Sequence, residues 1–210
     1  MAHSYSGEHF CPDSNRDDPS MTERNMETIR SFVSFEIPEM PAIRETQQKL
    51  RAVRGVSVPD SVHLTLRFLG DVEAKRIKEL SARMMSLEKY QPFTVSMKGL
   101  GAFPNVRDPR VVWIGAELGD QFQSILCDLD KMLDASSIDY DKKPFKAHVT
   151  LGRVKMPSTI LTDLLNKERD RDIGSFTCSE IFLMSSMLTP KGAIHSAINT
   201  FDLKGDQTIQ

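Results

Sequence analysis

One pattern is written twice in this chain: His63-Leu64-Thr65-Leu66 and His148-Val149-Thr150-Leu151. Two of the five histidines are spent on it. Chance produces about 0.3 His-x-Thr matches in a chain of this composition, and requiring an apolar second position and Leu at the fourth in both copies lowers that below about one in a thousand. The pattern also limits local structure. Polar and apolar residues alternate, so each copy reads as a strand whose His and Thr project from one face while its apolar pair anchors the other. Such strands, one in each half of the chain, suit a fold in which two polar faces line one groove.

The residues around the two copies repeat an order. Arg30 to Ile37 is aromatic and β-branched and stops at Pro38, as a strand does. Pro41 opens a helix with Ile43, Leu50 and Val53 at helical intervals and a stop at Gly55. Val58 to Leu69 is the first motif strand. A helix through Ile77, Leu80, Met84 and Leu87 precedes a strand at Phe93, Val95 and Met97. Gly and Pro residues from Gly99 to Arg110 read as a loop, and Val111 to Ile114 as a buried strand that takes Trp113 into the core, with Phe145 also expected there. Phe122, Ile125, Leu129, Met132 and Leu133 mark an amphipathic helix. Lys146 to Val154 is the second motif strand. A short helix, Ile160 to Lys167, leads to two strands, Phe176 to Met187 and Ala193 to Leu203, joined across Thr189-Pro190-Lys191-Gly192. The expected organisation is a pair of duplicated α/β lobes.

Composition bounds the function. With 40% apolar and 27% charged residues this is an ordinary globular chain, and no run approaches the ~18 apolar residues of a membrane span. A formal charge of −2 argues against nonspecific coating of nucleic acid, which needs many phosphate contacts, but is compatible with recognition of one strand end. Cys11, Cys127 and Cys178 form no framework and read as reduced thiols in a cytoplasmic protein. Residues 1–28 are polar and aperiodic, a disordered leader without the apolar segment of a secretory signal, and His3, His9 and Cys11 within it are too irregularly spaced for a built metal site. The globular unit is expected at residues 29–204, with a tail at 205–210.

Histidine titrates near ~6.5, so one ring of a pair can take a proton from water while the other gives one to a leaving oxygen. The hydroxyls of Thr65 and Thr150 can donate to phosphate oxygens as charge builds there. By strand parity Arg67 joins that face and offers a cation to phosphate. Arg153 has the opposite parity and reaches the groove only if Gly152 brings a bulge or the strand ends there. Lys142, Lys143 and Lys146 form a basic run that reads as a solvated loop. The plainer alternative, two buried polar pairs satisfying one another, suits one copy better than two. No HExxH motif or Cys cluster suggests zinc, and no GxSxG a nucleophilic serine.

These residues resemble the 2H phosphoesterases, named for two His-x-Thr/Ser motifs, and within them the RNA 2',3'-cyclic phosphodiesterase, or 2'-5' RNA ligase-like, group. The resemblance runs from Ile29 to Leu203. It rests on Arg30 to Pro38, on Val62 to Gly70, on Gly101 to Pro104 with Pro109 to Trp113, on Lys143 to Arg153, and on Ser186 to Gly192, which matches a Ser-x-Leu-x-Pro-x-Gly segment. It implies an α+β fold: two lobes with mostly antiparallel sheets around a central groove, the LigT-like fold. It implies opening of a terminal 2',3'-cyclic phosphate to a 2'-phosphate without metal or cofactor, with His63 as proton donor and His148 as proton acceptor. Expected partners are RNA ends or 2',3'-cyclic nucleotides; a monomer with no membrane contact is expected. Joining of RNA or tRNA-half ends through a 2'-5' bond, and noncatalytic binding of RNA ends, are the alternatives. Phe103 is a candidate stacking platform for the terminal base, with core packing as its other reading. The chain departs from the family at His195, where an aromatic residue, commonly Tyr, often stands; here it reads as an exposed strand residue.

Overall fold

A computed structural model describes residues 27–190 and 192–205. The leader and tail expected at 1–28 and 205–210 lie almost wholly outside these, as does Cys11. The chain runs through β1 (Thr28–Glu36), α1 (Pro41–Arg51), β2 (Val56–Ser57), β3 (His63–Glu73) and α2 (Ala74–Met84), which passes into a 3-10 turn (Met85–Lys89). β4 (Phe93–Phe103), β5 (Val111–Leu118), α3 (Gln121–Ala135), β6 (His148–Val154) and α4 (Thr159–Lys167) follow. The chain closes with β7 (Asp172–Cys178), β8 (Glu180–Thr189) and β9 (Gly192–Asp202).

The strands form two antiparallel sheets, ordered β3-β1-β8-β9 and β2-β6-β5-β4-β7. The motif strands β3 and β6 pack beside one another where the sheets meet. α2 lies behind β1 and β3 with α3 against it, while α1 and α4 cover the second sheet. The helices stick through single faces: Ile77, Leu80 and Met84 in α2, and Phe122, Ile125, Leu126, Leu129 and Leu133 in α3. Pro41 opens α1, where its missing N–H costs no hydrogen bond, and the Ser158 hydroxyl caps α4 by accepting from the Leu161 N–H at 3.3 Å. The motif's apolar residues Leu64, Leu66, Val149 and Leu151 are at most 2% exposed and share one core. Burial stabilises each by roughly 1.5–3 kcal/mol, which fixes the face from which His and Thr project.

Three expectations fail instructively. The loop expected from Gly99 is strand as far as Phe103, because the glycines there serve β4 itself. Gly99, at φ +70°, sits in a bulge so close to the Arg169 carbonyl that a Cβ would clash, and its N–H donates to the Arg171 carbonyl at 2.8 Å. Gly101 leaves room for the Trp113 ring, which lies where its Cβ would be. Trp113 is therefore on the open face of the sheet, not in the core as expected, whereas Phe145 packs on Phe122 at 5.3 Å against the core. The apolar run Phe176 to Met187 is two strands in different sheets, parted at Ser179. Among the described residues no helix is long and apolar enough to cross a membrane, and Cys127 and Cys178 form no disulfide.

Candidate active site

Both motif strands carry a bulge at the same place. Thr65 pairs with Ser34 and Arg67 with Val33, which leaves Leu66 as the extra residue; Thr150 pairs with Trp113 and Gly152 with Val112, which leaves Leu151 extra. An extra residue reverses the parity of everything beyond it. The burial order follows: Leu66 and Arg67 are both buried and Phe68 is 46% exposed, while Leu151 and Gly152 are buried and Arg153 is exposed. His63, Thr65 and Phe68 thus share the face opposite the helices in one lobe, and His148, Thr150 and Arg153 in the other.

This overturns the parity expectation for Arg67 and supplies the bulge on which the place of Arg153 in the groove depended. Arg67 turns to the helix-covered side, where Asp130 of α3 holds its guanidinium bidentately, Nε to Oδ1 at 2.7 Å and Nη2 to Oδ2 at 2.9 Å. It is 8% exposed, lies over the Tyr140 and Phe145 rings, and makes its third bond to the Leu66 carbonyl. The side chain of Arg153, brought round by the bulge, makes no hydrogen bond or ion pair among the described residues. Of the basic run, Lys142 pairs with Asp134 at 3.2 Å and Lys143 with Asp141 at 3.1 Å.

The histidines head their strands in different surroundings. The ring of His148 has its Nδ1 2.7 Å from the Lys146 carbonyl oxygen, which can only accept, so Nδ1 carries the hydrogen and Nε2 of the neutral ring keeps its lone pair. Phe103 stands at right angles to it with centroids 5.1 Å apart and leans on Trp113 at 5.3 Å. His63 is stacked on Phe32 at 5.0 Å and meets His195 edge-on at 5.2 Å. Burial, reinforced by repulsion from His195, pushes the His63 pKa down from 6.5 to about 4. The contact with His195 also reports the shape of the site. β3 and β9 are opposite edges of a four-stranded sheet, about 14 Å apart if it were flat. Rings from those edges touch on its open face, so the sheet curls around a concave front.

Known proteins carry the same architecture. A family model described as LigT like Phosphoesterase matches residues 35–113. The chain is 32% identical over 178 residues to the RNA 2',3'-cyclic phosphodiesterase of Archaeoglobus fulgidus, covering 83% of this chain and 100% of the relative. Its identity to the protein of the same name from Aquifex aeolicus is 34% over 190 residues, 86% of this chain and 100% of the relative. It belongs to the LigT-like phosphoesterases. Among solved structures, TT0787 of Thermus thermophilus superposes with a TM-score of 0.73 at 30% identity, covering 85% of this chain and 100% of that one. LigT of E. coli in its apo form, at 22% identity, shares the fold, with a TM-score of 0.65 over 84% of this chain and 98% of that one.

In this phosphoesterase the threonine hydroxyls are half-buried on the front, and among the described residues neither is hydrogen-bonded. Opposite each, on the neighbouring strand, is a buried polar atom without a protein partner: Ser34 Oγ across from Thr65 and Trp113 Nε1 across from Thr150. Apolar spacing and motif parity do not mark Phe32, Ser34 and Trp113 as part of the front. Their signal is register: once β1 and β5 are known to flank the motif strands, the residues directly opposite Phe68 and Thr65, or Thr150, must share their face. No such signal existed for His195, which reaches His63 only through the curl.

Proposed function

We propose that this phosphoesterase opens a terminal 2',3'-cyclic phosphate of RNA to a 2'-phosphate, with His148 as the base and His63 as the acid. The observation that carries the assignment is the hydrogen bond from His148 Nδ1 to the Lys146 carbonyl at 2.7 Å, which leaves Nε2 as a free acceptor held in one orientation. The substrate class comes from the relatives named RNA 2',3'-cyclic phosphodiesterase, which match nearly the whole described chain at about a third identity.

In the reaction, Nε2 of His148 removes a proton from water as its oxygen bonds to phosphorus. The bond from phosphorus to the 3'-oxygen breaks, and that oxygen takes its proton from His63. His63 is neutral in the empty groove near neutral pH; an arriving phosphate anion favours its charged form, so the donor gains its proton as substrate binds. Thr65 and Thr150 donate hydrogen bonds to the non-bridging oxygens, and Arg153, free on the same front, supplies a cation. Phe103, standing against His148, offers its ring to the terminal base. Arg67 has no part in this scheme, because its Nε and Nη2 are taken by Asp130 and its Nη1 by the Leu66 carbonyl.

Metal independence is part of the proposal. Hydrolysis of adenosine 2',3'-cyclic phosphate in excess chelator, with the product's phosphate position read by NMR, tests the whole reading. Expected is adenosine 2'-phosphate at an undiminished rate and a bell-shaped pH dependence. A rate abolished by chelator, a 3'-phosphate product, or full activity of His148→Ala would overturn it.

A further inference from the structure

A third histidine belongs to the front. His195 lies on β9, opposite Ser186 of β8, and curl of the sheet brings its ring to 5.2 Å from His63 and 5.0 Å from Phe32, perpendicular to both. Its side chain is held by these ring contacts alone, since among the described residues it makes no hydrogen bond or ion pair. Its nitrogens are therefore available to something that enters the groove. The charged residues sharing the face are few. On β1, Arg30 is engaged by Asp71 at 3.8 Å and lies over the Phe68 ring, and Glu36 is paired in register with His63; β8 contributes only the uncharged Ser186 and Met184.

We propose that His195 is a substrate-positioning residue, which uses Phe32 as its seat and hydrogen-bonds the phosphoryl group of the substrate from the His63 side of the groove. The inference rests on the cyclic-phosphodiesterase reading. A phosphate that lies between the motif histidines is already met by hydroxyls from both strands and by Arg153 from the β6 side. On the β3 side the bulge brings Phe68 to the place that Arg153 holds in β6, and the cation there, Arg30, already lies over the Phe68 ring at 4.7 Å and pairs with Asp71, so among the described residues that side offers no unpaired cation. An imidazole in contact with His63 fills that gap. Partial desolvation lowers its pKa although the residue is exposed on β9, so near neutral pH His195 is mainly neutral when the groove is empty, and a bound phosphate favours its protonation. His195 takes no proton from water and gives none to the leaving oxygen; it fixes the phosphorus relative to the two rings that do.

The test separates a polar role from packing. His195→Phe keeps a ring against Phe32 and His63 but removes both nitrogens, and His195→Gln keeps a donor without the ring. With adenosine 2',3'-cyclic phosphate, His195→Phe is expected to raise KM on the order of tenfold with a smaller change in kcat, and His195→Gln to recover part of that loss. Adenosine 2'-phosphate, titrated into the wild-type protein labelled at histidine, should move the His195 ring resonances and raise the pH at which they titrate. Wild-type KM in His195→Phe, or His195 resonances that ignore adenosine 2'-phosphate, would overturn the proposal. If the wild-type protein turns over no cyclic nucleotide, the functional reading fails by itself, and the titration still decides whether His195 meets phosphate.

Discussion

β3 and β6 carry the same four-residue pattern, bulge at the same leucine and bury the same apolar pair, yet their histidines are held in unlike ways. That of β6 is fixed by a backbone carbonyl and keeps one nitrogen open. That of β3 is packed between Phe32 and His195 with its charged form disfavoured. A duplicated motif is thus symmetric in what it presents and asymmetric in what surrounds it, and in the proposed reaction the surroundings divide the labour. The sharpest way to break this comparison is to remove each ring in turn. His148→Ala and His63→Ala should each lower kcat by about 10² to 10⁴, the range for one general acid or base. Because the proposed reaction has the two act in one step, the double variant should lose far less than the product of the single losses. Multiplying losses, measured by single-turnover rates, would show that the rings act independently and that the division of roles is wrong.

Beyond the bulge the strands diverge, and the arginines mark the divergence. Arg67 is a structural cation whose partner is fixed; Arg153 has none among the described residues. Asp130→Ala would strand a buried guanidinium, and with Asp130 itself part-exposed the cost should be about 2 to 4 kcal/mol of folding stability, read from urea unfolding. KM of the folded variant should be unaltered. A change in KM without a loss of stability would return Arg67 to the groove.

Much of this was legible in the sequence, and the reason it was is period. The four helices and the cores of β1, β3, β5 and β6 follow apolar spacing, because each element buries one face. Parity within His63 to Thr65 and His148 to Thr150 could be read directly. Parity beyond them could not, since a bulge leaves no mark that distinguishes Leu66 from an ordinary strand residue. Gly152 was the one visible hint, and it correctly pointed to the irregularity that turns Arg153 to the front. Trp113 misled for a related reason: an indole in an apolar strand reads as core, and only its cross-strand neighbour Gly101 shows that the ring lies over open sheet.

The unlike surroundings should also show in the pH dependence of stability. His63 titrates at 6.5 when unfolded and at about 4 when folded, so between those values the unfolded chain binds more protons. Stability that His63 lends is complete above pH 6.5 and is lost as pH falls toward 4, by roughly 2 to 3 kcal/mol. Other groups titrate in that window, so the measurement is the difference between wild-type protein and His63→Gln. The variant's stability should fall less steeply across it. Identical slopes would mean that His63 is not held neutral by burial.

Smaller effects are expected where the two sides differ only in how they meet substrate. Arg153→Ala should raise KM about tenfold with folding stability unchanged to within about 0.5 kcal/mol, the reverse of Asp130→Ala.

Phe103→Leu should have the smallest consequence. Phe103 leans on Trp113 and stands against His148, half-buried at the end of β4, so leucine preserves most of its packing while removing the flat face offered to a base. Stacking on an aromatic is worth about 1–3 kcal/mol per base against alanine, and leucine should retain part of that, which leaves a KM increase of a few-fold. A π-face does not discriminate among bases, so the increase should be similar for adenosine and uridine 2',3'-cyclic phosphates, and kcat should hold. A fall in kcat with KM constant would assign Phe103 instead to orienting His148, as Phe32 seats His63, and would make the two sides of the groove more alike than their hydrogen bonds suggest.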